Sequence, residues 1–396
     1  MATSATARVV PSAKILTVAA HAAFVPVGIV TVLLSPLLPT LSARWSLNYS
    51  QAGELFTAQF FFSTIAVLLS GVLMARWGFR FAIKAGLVII GVSVVGLLAG
   101  SRLFGMMCIA GYGIGIGLAV PAANLIVAEV NPARRSAALN LLNFSWSTGA
   151  VACPFLVAAA SRHGRVPMFL VAVAVFTLLI AICITAMPSS VVEPPINRAA
   201  EDKRVADWRH PSFLVMAALF FLYVGTETSF GGWTASYANS LGGMSPTVAV
   251  MVPSFFYSAL MLGRWLAPLV LRRIEEVHVA QGCLLLACVG MAGLVASRLL
   301  PEVIVTASVA GLGLSAVYPI TISLLSREFG EAASRVGSLM FTFANLGGAF
   351  FPWLVGVSSN QVGTLKAGLA VPLIGGGLMY ILYRREWKPV TAESPV

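Results

Sequence analysis

Twelve stretches of nearly unbroken apolar residues, separated by short polar segments, run along this chain. They fall at 15–40, 52–75, 80–100, 103–130, 137–160, 165–187, 212–239, 247–271, 277–298, 301–326, 334–357 and 363–383. A helix crosses a hydrocarbon core of ~30 Å with about 20 residues, and the stretches supply that length. The apolar residues are continuous rather than alternating every second position, which excludes the strands of a membrane barrel. The pattern predicts an all-α membrane protein of twelve transmembrane helices.

The longest polar interruption is 188–211. It holds eight charged residues, Pro188, the pair Pro194-Pro195, and Pro211 at the start of the seventh span. It divides the chain into an N-terminal six-helix bundle (1–187), a cytoplasmic linker (188–211) and a C-terminal six-helix bundle with a short tail (212–396). An internal repeat follows the same division. Gly113-x-Gly115-x5-Pro121 returns 198 residues later as Gly311-x-Gly313-x5-Pro319, and Gly149-x4-Pro154 returns as Gly347-x4-Pro352. Two pairs at one offset, half the chain length of 396, point to a duplication and to two pseudo-symmetric bundles. Small residues at this spacing let helices four and ten approach their neighbours closely, and Pro121 and Pro319 are expected to bend them.

Charge sets the expected orientation. Of 25 Lys and Arg, 18 fall on the side that holds both termini, and Arg44, Arg102, Arg162, Arg165, Arg298 and Lys366 fall on the other. An excess of basic residues in short loops marks the cytoplasmic side, so both ends are expected in the cytoplasm. Cations spread along one membrane surface also exclude a nucleic-acid reading of the net charge of +11. The five cysteines all lie within spans and have no metal-ligand spacing. No helical His-Glu-x-x-His, no Gly-x-Ser-x-Gly elbow on a strand and no phosphate loop is present, so neither a hydrolase nor an ATP-driven pump is expected.

The turn after the second span reads Gly71-Val-Leu-Met-Ala75-Arg76-Trp-Gly78-Phe-Arg80. With twelve spans in a six-plus-six division, it resembles the signature of the major facilitator superfamily over essentially the whole chain. Ala75 stands where that signature has an aspartate. The seventh span, Tyr223-Val-Gly225-x-Glu227-x3-Gly231-Gly232-Trp233-x3-Tyr237, is similar to the fucose-permease-like sugar:proton symporters within the superfamily. So are Leu139-Asn140-Leu141-x-Asn143-x3-Ser147-x-Gly149-Ala150 in the fifth span and Gly263-Arg264 in the eighth. The resemblance implies two bundles about a midplane cavity, alternating access, and a sugar moved with a proton. The acids that this group places in the first and fourth spans fall near Ser35 and on Val120, and neither is titratable.

Of fourteen carboxylates, thirteen lie in tails, loops or span ends, and the fourteenth is Glu227. It lies about 21 Å along its helix from Phe213, close to the midplane. An ionised carboxylate there costs several kcal/mol unless it is paired or hydrated. Two readings follow: a proton-coupling or hydroxyl-accepting acid, or an acid hydrogen-bonded in a contact between spans seven and eleven. Arg264, the other charge within a span, sits about 8 Å away along the membrane normal by helical rise. That offset leaves direct pairing open, and an inner gate or a snorkelling role is the expectation.

Sugars need amide and hydroxyl partners and aromatic faces. The mid-span residues of that kind are Gln59, Asn124, Asn143, Trp146, Tyr223, Trp233, Tyr257, Tyr318 and Asn345, with Tyr237 near the outer end of its span. Gln59, Asn124, Asn143, Trp146, Glu227, Trp233, Tyr237 and Asn345 form the expected substrate site, with Glu227 also carrying the proton. Arg76, Glu129, Arg135, Arg264 and Glu328 are the expected gating charges, and His21 has a packing or interfacial role. The whole reads as a monomeric secondary transporter in a bacterial inner membrane. Its partners are a small molecule, a proton or sodium ion, and the bilayer; no cofactor, metal or nucleic acid enters. The alternative is a proton-coupled exporter of lipophilic compounds.

Overall fold

The structure is a computed structural model that describes residues 3–188, 211–242, 245–329 and 333–385. Most of the predicted linker and the end of the C-terminal tail lie outside the described residues. The helices are α1 (Thr3–Val32), α2 (Leu34–Trp45), α3 (Tyr49–Trp77), α4 (Phe79–Gly96), α5 (Arg102–Val130), α6 (Arg135–Arg162) and α7 (Val166–Thr185). They continue as α8 (Pro211–Ser240), α9 (Pro246–Val270), α10 (Glu276–Ala296), α11 (Leu300–Leu314), α12 (Val317–Phe329), α13 (Ala333–Val362), α14 (Leu365–Gly368) and α15 (Ala370–Tyr383). Among the described residues twelve segments are long and apolar enough to cross a membrane, as the sequence predicts, with α11–α12 and α14–α15 each forming one of them.

Three predicted spans are broken rather than continuous, and each break has the same cause. The interruptions at Leu33, at Ser315-Ala316 and at Leu369 lie three or four residues before Pro36, Pro319 and Pro372. Proline removes the hydrogen bond to the carbonyl four residues back, and its ring crowds that carbonyl. Pro121 lies inside the continuous α5, as Pro154 and Pro352 lie inside α6 and α13, so the interruption at Pro319 has no counterpart at Pro121.

The chain divides into two compact units, Met1–Leu37 with Ala58–Asp202 and Leu38–Thr57 with Lys203–Val396. In the first, α1 packs on α6, and α4 packs on α5 and α7. In the second, α8 packs on α13, and α10 packs on α11 and α15. These are the same neighbours, six spans apart.

The repeated glycines make matched close contacts in the two units. A methyl group at Gly113 would collide with the carbonyl oxygen of Gln59 in α3, and one at Gly311 with that of Phe256 in α9. Gly149 faces the carbonyl of Val25 in α1, and Gly347 faces that of Phe221 in α8. Backbones this close exclude every side chain but hydrogen, which is how membrane helices gain packing energy without a hydrophobic drive. The turn between α3 and α4 needs glycine for conformation. Gly78, between α3 and α4, has φ 86°, a left-handed geometry costly for other residues.

The segment Leu38–Thr57 belongs by its contacts to the second unit, not to the N-terminal residues on either side of it. There Gly53 lies against the backbone of Trp353, Gly356 against the carbonyl of Tyr49, and the Thr57 hydroxyl donates to the Ala349 carbonyl at 2.9 Å.

Candidate functional site

In the first unit the polar residues form one buried network. Gln59, 2% exposed, donates its amide to the Thr31 carbonyl at 2.9 Å and accepts from the Tyr112 hydroxyl at 3.3 Å. The Trp146 indole approaches the Thr31 hydroxyl at 3.4 Å, and that hydroxyl donates to the Val27 carbonyl at 2.7 Å. α1, α3, α5 and α6 are thereby joined through four side chains. Thr31 and Tyr112 were not candidates, because a lone threonine or tyrosine in an apolar span carries no sequence signal. Asn124 and Asn143 instead turn back onto their own helices, bonding the carbonyls of Val120 at 2.9 Å and Leu139 at 3.0 Å. Asn143 is exposed. His21 meets the Ser145 hydroxyl at 2.8 Å, linking α1 to α6.

The second unit holds the intramembrane charges. Glu227 on α8 and Arg264 on α9 approach to 3.9 Å, with side chains 12% and 21% exposed. The Arg264 guanidinium lies 3.5 Å from the Tyr223 hydroxyl, which donates to the Leu314 carbonyl at 3.2 Å. Tyr223 stacks on Tyr318 of α12, with ring centroids 5.1 Å apart. Helical rise alone leaves the two charges about 8 Å apart, but side chains lean toward the N-terminus of their helix. Because α8 and α9 run in opposite directions, Glu227 and Arg264 lean toward each other. Gly263 seats α9 directly against Ser315, bringing the arginine to the same cluster.

Trp233 is 1% exposed and donates its indole N–H to the Pro352 carbonyl at 2.9 Å. Its ring meets Tyr49 and Phe56, with centroids 6.3 and 6.1 Å away. Tyr237 bonds the carbonyls of Val295 and Ser297 at 3.3 Å, which fastens α8 to the end of α10. Asn345 is partly exposed on α13.

Among the expected gating charges, Glu328 is 4% exposed and accepts from the Ser212 hydroxyl at 2.7 Å, joining the ends of α12 and α8. Arg76 lies over the Trp77 ring at 5.1 Å. Glu129 and Arg135 are exposed on either side of the turn between α5 and α6. A further inter-helix group was missed: Glu276 of α10 accepts from Ser323 at 2.7 Å and pairs with Arg327 at 3.5 Å. Among the described residues no group of three or more His, Cys, Asp or Glu is placed to hold a metal ion.

The family model described as Major Facilitator Superfamily matches residues 21–352. A glucose/galactose transporter of Brucella abortus biovar 1 (strain 9-941) is 26% identical over 370 residues, 88% of each chain. Among solved structures, a bacterial homolog of the human lysosomal transporter Spinster, inward-facing and unoccupied, aligns with a TM-score of 0.75 and 15% identity. The alignment covers 94% of this chain and 97% of that one. A D-xylose-proton symporter aligns with a TM-score of 0.73 and 17% identity over 95% and 97%. These two likenesses establish the fold.

Proposed function

We propose that this chain, which belongs to the Major Facilitator Superfamily, moves a sugar or related polyhydroxylated metabolite across a membrane together with protons, by alternating access. It is a multi-pass membrane transporter and not an enzyme. The observation that carries the proton half of the reading is Glu227, a mid-span acid that approaches the cation Arg264. An acid in that position is stable either as half of an ion pair or with a proton of its own, so it exchanges one state for the other as its partner is occupied. The substrate half is supported by the glucose/galactose transporter relative and by the amides and indoles carried by the spans.

We place Asn124, Asn143, Asn345 and the partly exposed ring of Trp146, whose N–H is held by Thr31, on the substrate pathway. Gln59, Trp233 and Tyr237 position the helices, because their polar atoms are already committed to neighbouring helices. Both termini lie on the cytoplasmic side of a bacterial inner membrane. The test is thermal stability of the purified protein with hexoses, sugar acids and lipophilic drugs at pH 5.5 and 7.5. A ligand that binds the folded state stabilises it by RT ln(1 + [L]/Kd), so a millimolar binder is visible. Stabilisation by a sugar supports the reading. Stabilisation by lipophilic compounds alone transfers it to an exporter, and dependence on sodium rather than pH replaces the coupling ion.

A further inference from the structure

The Arg264 guanidinium is poorly satisfied. It has five N–H donors in a planar fork. Among the described residues it meets Tyr223 at 3.5 Å and Glu227 at 3.9 Å, both long, and its Nε is buried with no hydrogen-bond partner. Neither contact engages the fork as a bidentate acceptor would. A cation placed within a membrane-spanning helix with its donors open points to an acceptor that arrives from outside the protein.

Charge balance selects the chemistry of that acceptor. Of the helices around the cluster, α9, α13 and α15 carry no acid; the acid of α11, Glu302, accepts from the Arg298 and Leu299 N–H groups at the first turn of its helix, and the acid of α12, Glu328, is bonded to Ser212 at the far end of its helix. The remaining titratable neighbours are Tyr223 on α8 itself and Tyr318 on α12. Glu227 and Arg264 together are neutral. A neutral ligand that took the place of Glu227 at Arg264 would leave two unpaired charges in a poorly solvated site, an expensive state. A carboxylate keeps Arg264 paired, and Glu227 becomes neutral by taking one proton.

We propose that the substrate is an acidic sugar, a uronate or aldonate, whose carboxylate binds the Arg264 fork while Glu227 takes up the accompanying proton. The inference rests on the proton-coupled sugar reading and narrows its substrate. In the binding step one O–H bond forms on Glu227, the proton comes from the aqueous phase, and the Glu227 carboxylate yields Arg264 to the ligand carboxylate. On release both changes reverse. One anion and one proton cross together, so the cycle moves no net charge.

The experiment measures binding of glucuronate, gluconate and glucose to the purified full-length protein by thermal stability and calorimetry at pH 5.5 and 7.5. The acids are expected to bind wild type with an affinity that rises up to about tenfold per pH unit on acidification, one proton being taken up per ligand. Glu227→Gln leaves Arg264 without its internal competitor, so it should bind the acids as tightly at pH 7.5 as at 5.5. A purely structural role for the pair would not produce that. Arg264→Lys, a point charge without a fork, should lose about tenfold. The double variant Glu227→Gln/Arg264→Gln leaves no unpaired charge in this cluster, which protects the fold, and should bind neither acid. If glucose binds wild type and the double variant equally and the acids do not compete, the acidic-sugar inference is wrong and the sugar reading stands. If none of the three binds, both fall.

Discussion

Trp233 and Pro352 are joined by a 2.9 Å hydrogen bond from the indole N–H to the backbone carbonyl, inside a contact where the tryptophan is 1% exposed. Proline 352 is one of the repeated residues, and it lies within a continuous helix. A tryptophan that sequence alone offers as a sugar platform is therefore a fastening between α8 and α13, with Tyr49 and Phe56 around its ring.

Trp233→Phe should keep most of the ring packing and lose the hydrogen bond, lowering stability by about 1 kcal/mol. Trp233→Ala should cost about 3–5 kcal/mol through the cavity it leaves. Thermal unfolding in detergent measures both. If Trp233 were instead mainly a ligand contact, Trp233→Phe would leave stability unchanged and weaken binding.

Gln59 gives a parallel case in the first unit. Gln59→Ala strands the buried Tyr112 hydroxyl and the Thr31 carbonyl, a loss of about 1–3 kcal/mol. The substrate KM of the fraction that folds should be unchanged. A large rise in KM at full stability would return Gln59 to the ligand site.

The duplication predicts matched penalties. Gly113→Ala and Gly311→Ala each drive a methyl group into a backbone carbonyl of a neighbouring helix, and each should destabilise by about 1–3 kcal/mol. Gly71→Ala, which has nothing within 4 Å, should be neutral or slightly stabilising. Expression yield and melting temperature of the three variants, compared side by side, test the equivalence. A penalty at one repeat position alone would break it.

Glu328 and Ser212 predict a local effect. Ser212→Ala removes the 2.7 Å hydrogen bond to a buried carboxylate and should cost about 1.5–3 kcal/mol, as bonds to charged groups do. Glu328→Gln keeps an acceptor oxygen and should lose less. The order of the two melting temperatures checks this.

Much of this architecture was legible in the sequence, for a physical reason: a membrane forces each span to satisfy its own backbone hydrogen bonds within about 20 apolar residues. The glycine repeat was equally readable, because close backbone approach tolerates no other residue. Proline was not. Pro36, Pro319 and Pro372 interrupt their spans while Pro121, Pro154 and Pro352 do not, and the sequence around them does not distinguish the two outcomes. The pairing of Glu227 with Arg264 was obscured because residue counts measure rise along an axis and ignore the lean of long side chains. The commitment of Gln59, Trp233 and Tyr237 to backbone carbonyls was hidden for another reason. A buried polar side chain looks the same in sequence whether its partner is a ligand or a neighbouring helix. Nothing in the local pattern marks Leu38–Thr57 as packing with the second unit either.

The most direct test of proton coupling through Glu227 compares two assays on wild type and Glu227→Gln in proteoliposomes. One is counterflow exchange of a labelled hexose or hexuronate at equal pH. The other is uptake of the same compound against its gradient, driven by an inward proton gradient. Wild type should do both. Glu227→Gln, unable to gain and lose a proton, should keep exchange and lose accumulation. Accumulation by Glu227→Gln at the wild-type level would contradict the assignment of the coupling proton to this residue.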